Sequence, residues 1–157
     1  MSLVRHEIGR IFCKHVGSCK LHIIPCTQFN DPYGRQFGKH IGEHSAMISG
    51  LVFDHEFNSW LGSVKRMVLA ELARKDDILV VCVCKRGRHR SVAAARILTH
   101  VFATCGVGEV SQFPRHLARE SWWNGICTDC ESCAVGQVMA PEKRRSLAHA
   151  VLQWRQL

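Results

Sequence analysis

Two short segments of the chain have the length of β-strands. Residues 78–83 (ILVVCV) form an apolar, largely β-branched run, and residues 20–24 (KLHII) form a second segment that ends at Pro25. An unbroken apolar run of this length is too short for an independent helix and is typical of a strand buried on both faces. We therefore expect a mainly parallel sheet, with a third strand at residues 110–113.

Three longer segments have the periodicity or composition of helices. The first is amphipathic and runs from Phe57 to Ala73, the second is alanine-rich and runs from Ser91 to about Phe102, and the third covers residues 139–157 with Pro141 in its first turn. The order of strands and helices predicts a small three-layer α/β domain that spans residues 1–157 as a single domain. Its expected core is residues 20–116, and residues 117–157 would form a cysteine cluster and a closing helix.

The connection between the second strand and the Ser91 helix concentrates positive charge. A helix N-terminus carries unpaired backbone N–H groups and the positive end of the helix dipole, and both attract phosphate. Gly87 would let the backbone turn inward, Arg90 would offer a planar two-pronged donor, and Ser91 would cap the helix. The predicted phosphate-binding residues are Cys84, Lys85, Arg86, Gly87, Arg88, His89, Arg90 and Ser91.

Polar residues that follow the first strand are expected to face the same site. In parallel sheets, ligands bind beyond the carboxyl ends of the strands. Asn30, Asp31 and Arg35 come soon after the strand that ends at Pro25. We therefore expect these three side chains to line the ligand.

The loop resembles the phosphate loop of cysteine-dependent protein tyrosine phosphatases, through the pattern Cys-x-x-Gly-x-x-Arg-Ser. The resemblance implies that Cys84 is a nucleophile and that Arg90 holds the phosphoryl group. Flanking cations and a helix N-terminus lower the pKa of a thiol, so the chemistry fits. Asp54, in the segment LVFDHEF, is the candidate general acid, whereas Val83 stands where those phosphatases usually carry histidine.

A closer resemblance is to the C-terminal domain of the RapZ family, whose loop has the pattern Cys-x-Gly-Gly-x-His-Arg-Ser-Val. It covers residues 21–116 and includes an Asn-Pro-like segment at residues 30–33 and the pair Arg115 and His116. That family binds a phosphorylated amino sugar, which implies a binding domain for a phosphorylated small molecule. Lys85 and Arg86 depart from the family pattern. The matching loop residues are Cys84, Gly87, His89, Arg90, Ser91 and Val92.

Composition narrows the partners and the compartment. The chain has 157 residues, 46% of them hydrophobic, and a formal net charge of +8 with ten further histidines. This charge favours anionic partners, either phosphorylated metabolites or nucleic-acid backbone. No segment is apolar enough to span a membrane, and neither a secretion signal nor an even number of cysteines is present, so we expect a soluble protein in the cytoplasm or elsewhere inside the cell.

Three cysteines near the C-terminus have metal-ligand spacing. Cys127, Cys130 and Cys133 form a Cys-x2-Cys-x2-Cys pattern, and His116 is the nearest further donor. These four residues predict a structural zinc site, with Cys105 and Cys26 as other candidates for the fourth ligand. An iron–sulfur cluster, free thiols or a redox pair are the alternatives.

A second metal-like pattern lies in a glycine-rich segment. Residues 40–44 read His-Ile-Gly-Glu-His, which matches the His-x-x-Glu-His pattern of some metalloproteases. Glycines within and before the motif disfavour the helix that such a site needs. We interpret residues 33–50 as a flexible basic loop, and a lid in which Arg35, Lys39 or His40 closes over phosphate is one hypothesis.

The sequence leaves three functions open. The first is a binding domain for a phosphorylated small molecule, such as a sugar phosphate or a nucleotide-like compound. The second is a phosphatase that depends on Cys84, and the third is a module that grips the nucleic-acid backbone.

Overall fold

The computed structural model describes residues 20–31, 37–38, 40–75, 77–108, 110, 130, 132–133 and 139–157. Within these ranges the chain forms two strands and four helices, which confirms a small mixed α/β fold. In chain order they are β1 (Lys20–Pro25), α1 (Ser45–Val52), α2 (Phe57–Leu72), β2 (Ile78–Val83), α3 (Arg90–Cys105) and α4 (Pro141–Gln156).

The two strands pair in parallel, as expected. The register runs from Lys20 opposite Ile78 to Pro25 opposite Val83. The Cys26 N–H then donates to the Val83 carbonyl at 2.8 Å, which carries the pairing one residue past β1. Every residue of β2 is half-buried, so the expectation of a strand buried on both faces is wrong. The expected third strand lies outside the described residues except for Val110.

The helices supply most of the core. Helix α4 packs against α1, α2 and α3, and α3 packs against β2. The apolar faces predicted for the Phe57 helix and the closing helix are confirmed, because Trp60, Val64, Leu147 and Trp154 are all buried. Burying such faces contributes the main favourable free energy of folding.

Helix α1 is an element that the sequence pattern did not predict. Residues 45–50 were expected to belong to a flexible loop, but the segment Ser45–Val52 is helical and buries Ile48, Leu51 and Val52. Its N-terminus is capped by His44, whose Nδ1 accepts the Ala46 N–H at 3.2 Å. Histidine is not among the preferred caps, and an eight-residue helix depends on tertiary packing, so local sequence rules miss it.

The Lys143-Arg144-Arg145 run of α4 has the composition of a solvated basic helix face, but one of its residues is buried. The side chain of Lys143 is only 1% exposed and lies 3.7 Å from the Glu43 carboxylate. Burial lowers the pKa of Lys143, and Glu43 opposes that effect. Only Arg144 and Arg145 of this run are exposed.

Gly42 lies in close contact with backbone atoms at the start of α3. A Cβ at this position would overlap the His89 carbonyl oxygen and the Ala93 nitrogen, and would lie 2.8 Å from the Val92 Cβ. The Gly42 N–H donates to the Arg88 carbonyl at 3.0 Å. The segment before α1 is therefore packed directly on the first turn of α3.

Gly42→Ala is expected to destabilise the protein by more than about 2 kcal/mol, because backbone atoms of α3 would have to move. Gly62→Ala is the matched control: a Cβ there meets only side-chain atoms at 3.6 Å or more, and alanine favours helix by about 1 kcal/mol. Urea denaturation of both variants measures the difference. Equal stabilities for the two variants would contradict the close packing at Gly42.

Candidate functional site

The loop after β2 places the Cys84 side chain beside the first turn of α3. The Cys84 Sγ donates to the Ser91 Oγ at 3.2 Å. Burial raises the pKa of this thiol, but the hydrogen bonds to Ser91, Arg88 and Gly87 outweigh burial and lower the pKa overall. The loop therefore stabilises negative charge at one point, in front of the N-terminus of α3.

Gly87 forms a tight turn in the loop between Cys84 and α3. Its φ of 63° lies in the left-handed region that favours glycine, and its N–H donates to the Cys84 carbonyl at 3.3 Å. Helix α3 begins at Arg90, and its cap position, His89, makes no side-chain cap bond. The prediction that Ser91 caps the helix is wrong, since Ser91 lies inside the first turn and turns its hydroxyl to Cys84.

Two of the predicted cations hold the loop to its neighbours. The Arg90 Nη1 donates to the carbonyls of Thr27 at 3.1 Å and Phe29 at 2.7 Å. The Arg88 Nε donates to the His40 carbonyl at 3.1 Å. The loop is thereby anchored both to the chain that follows β1 and to the segment that precedes α1.

The other two cations of the loop are exposed, and one nitrogen of Arg90 is buried without a partner among the described residues. Lys85 and Arg86 are exposed to solvent. The Arg90 Nε is buried and has no hydrogen-bond partner among the described residues. A buried donor of this kind is usually satisfied by a ligand or by water.

His89 and Asp31 form a pair beside the loop. The His89 Nδ1 lies 3.1 Å from the Asp31 Oδ2, and the His89 Nε2 is buried without a partner in the described part of the chain. The structure thus brings Asp31, a predicted ligand-lining residue, to the Cys84–Ser91 loop. Arg35, the third member of that set, lies outside the described residues.

The Asp54 carboxylate accepts backbone hydrogen bonds from the segment that follows β1 and from its own turn. Its side chain is 5% exposed. Its Oδ2 accepts the Asn30 N–H at 3.2 Å, and its Oδ1 accepts the Glu56 N–H at 2.9 Å. Asp54 and Asn30 therefore come together near Arg90, and the observed contacts of Asp54 are those of a turn-stabilising residue.

A second cluster lies on the other side of the loop. Ligand atoms of His40, His44 and Cys130 lie within 4.8 Å of one another, a grouping that could hold a metal ion. Burial and the neighbouring His40 are the main causes that lower the pKa of His44, which favours the neutral ring that metal ligands require. Of the predicted metal ligands, Cys130 belongs to this cluster, whereas Cys127 and His116 lie outside the described residues.

Sequence analysis missed the two histidines of this cluster. We interpreted residues 40–44 as a flexible loop because glycines disfavoured a metalloprotease helix. The spacing of His40 and His44, and that of Cys130 and Cys133, is typical of ligand pairs, but the two pairs lie far apart in the chain. Only the fold brings them together.

A shallow groove of about 340 Å³ lies between β1 and α2. Pro25, Gln28, Glu56 and Trp60 line part of it, and the residues of the Cys84–Ser91 loop do not.

Comparisons of the chain with family models, with curated proteins and with solved structures found no match. Among the helices that the structure describes, none has both the length and the apolar character needed to cross a membrane.

Ser91→Ala is expected to slow alkylation of Cys84 at pH 7 by about tenfold. Loss of the hydroxyl removes a hydrogen bond to the thiolate, which raises the pKa of Cys84 and lowers the fraction ionised at neutral pH. Peptide-resolved mass spectrometry after timed iodoacetamide labelling measures the rate, with Cys105 in the same sample as the reference thiol. An unchanged Cys84 rate would show that Ser91 does not stabilise the thiolate.

Proposed function

We propose that residues 84–91 bind the phosphate group of a small molecule. The observation that carries this proposal is the buried Arg90 Nε, which lies at the start of α3 and has no hydrogen-bond partner among the described residues. A helix N-terminus beside an unpaired guanidinium donor suits phosphate oxygens. The function is that of a binding domain for a phosphorylated compound, such as a sugar phosphate or a nucleotide-like molecule, as the likeness to the RapZ family implies.

The cations around the loop support this proposal. The bonds of Arg90 to the Thr27 and Phe29 carbonyls fix its guanidinium in one place and leave the Arg90 Nε without a partner among the described residues. Lys85 and Arg86 are exposed and add positive potential at the entrance. A bound phosphate would then contact the N-terminus of α3 and lie close to the positive charges of Lys85 and Arg86.

A phosphatase that depends on Cys84 is the second candidate, and the lowered pKa of Cys84 favours it. The thiolate would attack phosphorus, forming an S–P bond while the ester P–O bond breaks and the leaving oxygen takes a proton. Water would then cleave the S–P bond and release inorganic phosphate. Asp54 is the proposed proton donor, although both of its carboxylate oxygens already accept backbone N–H groups.

The nucleic-acid alternative has less support. Lys143 is buried, so the basic run on α4 contributes two exposed arginines instead of three cations. The exposed loop cations would still contact backbone phosphates.

The metal proposed for the His40, His44 and Cys130 cluster is zinc. Imidazole nitrogen and thiolate sulfur are the donors that zinc prefers in structural sites, and an intracellular, reducing location keeps the thiols available. An expected zinc content of one equivalent can be measured on the purified protein by inductively coupled plasma mass spectrometry.

Arg90→Ala is expected to weaken binding of a phosphate ester by at least about tenfold, because a charge-assisted contact is lost. Isothermal titration with glucosamine 6-phosphate and with inorganic phosphate measures the affinities. Arg145→Ala, which removes an exposed charge from α4, is the matched control. An equal loss in both variants would indicate a general charge effect instead of a site at the loop.

Hydrolysis of p-nitrophenyl phosphate separates the two leading candidates. This substrate has a good leaving group, so turnover does not require a general acid. A binding domain would release no p-nitrophenol above the rate of the Cys84→Ser variant. Turnover that Cys84→Ser abolishes would replace the binding-domain proposal with the phosphatase.

A further inference from the structure

We infer that His40, His44, Cys130 and Cys133 form one closed, four-ligand structural zinc site. The ligand atoms of the first three residues lie within 4.8 Å of one another, close enough to bind one ion. The fourth member is Cys133, because its Sγ lies 3.3 Å from the His40 Nδ1. The predicted ligand set is therefore replaced by two histidines and two cysteines.

The distance between the His40 and Cys133 ligand atoms matches that of two ligands on a common ion. With Zn–N bonds of about 2.0 Å and Zn–S bonds of about 2.3 Å, ligand atoms in a tetrahedral site lie about 3.6 Å apart. The observed separation between the His40 and Cys133 ligand atoms is close to this value. Side chains of this pair would need only small shifts to enclose an ion.

Backbone hydrogen bonds hold the two cysteines and the two histidines in neighbouring segments. The Cys133 N–H donates to the Cys130 carbonyl at 2.9 Å, which closes a tight turn between the two thiols. The Ser45 N–H donates to the Ser132 carbonyl at 2.9 Å, which joins this turn to the start of α1. The two ligand pairs are therefore held together by a backbone hydrogen bond that needs no metal.

The histidines are oriented and sheltered. The His44 Nδ1 accepts the Ala46 N–H, which leaves Nε2 as the nitrogen for the metal. The Phe37 ring packs at 5.6 Å from the His40 ring and at 4.4 Å from the His44 ring, measured between centroids. Fixed ring orientation and an apolar cover are the features that accompany metal-binding histidines.

Four protein ligands make the site structural rather than catalytic. A catalytic zinc keeps a position open for water or substrate, whereas two histidines and two cysteines fill the tetrahedron. Residues 40–44 also contact the phosphate loop, through the bonds of Arg88 to His40 and of Gly42 to Arg88. The ion would therefore hold in place the segment on which the phosphate loop rests.

Cobalt(II) titration tests the ligand set. The metal-free full chain should bind one equivalent of Co²⁺, with the visible bands of a tetrahedral site and the thiolate charge-transfer intensity of two cysteines. Cys133→Ser should lower the Co²⁺ affinity by at least about a hundredfold and halve the charge-transfer intensity, because a ligand is worth at least as much as its supporting contacts. Cys105→Ser is the matched control and should change neither value.

Two further variants keep the test decisive. Cys133→His, which replaces one ligand by another, should retain a tetrahedral Co²⁺ spectrum with the intensity of a single thiolate, even if Cys133→Ser does not fold. Cys127→Ser should leave the spectrum unchanged. Loss of the spectrum in Cys127→Ser but not in the Cys133 variants, or no Co²⁺ binding by the wild type, would overturn the inference.

One consequence rests on the proposed function of the loop. Removing zinc should weaken binding of inorganic phosphate, and adding zinc back should restore it, because residues 40–44 support the loop. The two proposals can be contradicted separately. Metal binding without any phosphate binding would contradict only the proposed function. Equal phosphate affinity in the metal-free and zinc-loaded protein would contradict only the proposal that zinc stabilises the loop.

Discussion

The close contact of Gly42 with the first turn of α3 joins the Cys84–Ser91 loop to the segment that carries His40 and His44. No side chain separates the segment before α1 from the carbonyl of His89, and the Gly42 N–H donates to the Arg88 carbonyl. The Arg88 guanidinium donates to the His40 carbonyl. The conformation of the loop and the position of the two histidines therefore depend on the same few backbone atoms.

Charge is distributed so that the loop keeps its shape without a bound anion. Four neighbouring cations repel one another unless their charges are screened or paired. Here the guanidinium groups of Arg88 and Arg90 donate to backbone carbonyls, and Lys85 and Arg86 extend into solvent. Contacts to carbonyl dipoles and exposure to water both reduce the repulsion.

A second set of charges supports the helix packing. Glu43 lies 3.4 Å from Arg96 and 3.7 Å from the buried Lys143. A buried lysine is tolerated only where a carboxylate offsets part of its desolvation cost. Because Glu43 stands beside Gly42 and His44, the same short segment contributes a backbone contact, a charge partner and a member of the cluster that could hold a metal ion.

The amino-acid sequence was enough to predict the elements that have a regular local pattern of apolar residues. The apolar runs predicted β1 and β2, and the periodic segments predicted α2, α3 and α4 within a few residues, because spacing along the chain decides which side chains share a face. Tertiary structure decided the rest. Helix α1 is short and capped by histidine, Lys143 is buried by a partner from another segment, and His40 meets Cys133 across 93 residues. These contacts join residues that are far apart in the chain, so they depend on the tertiary fold and no local sequence pattern predicts them.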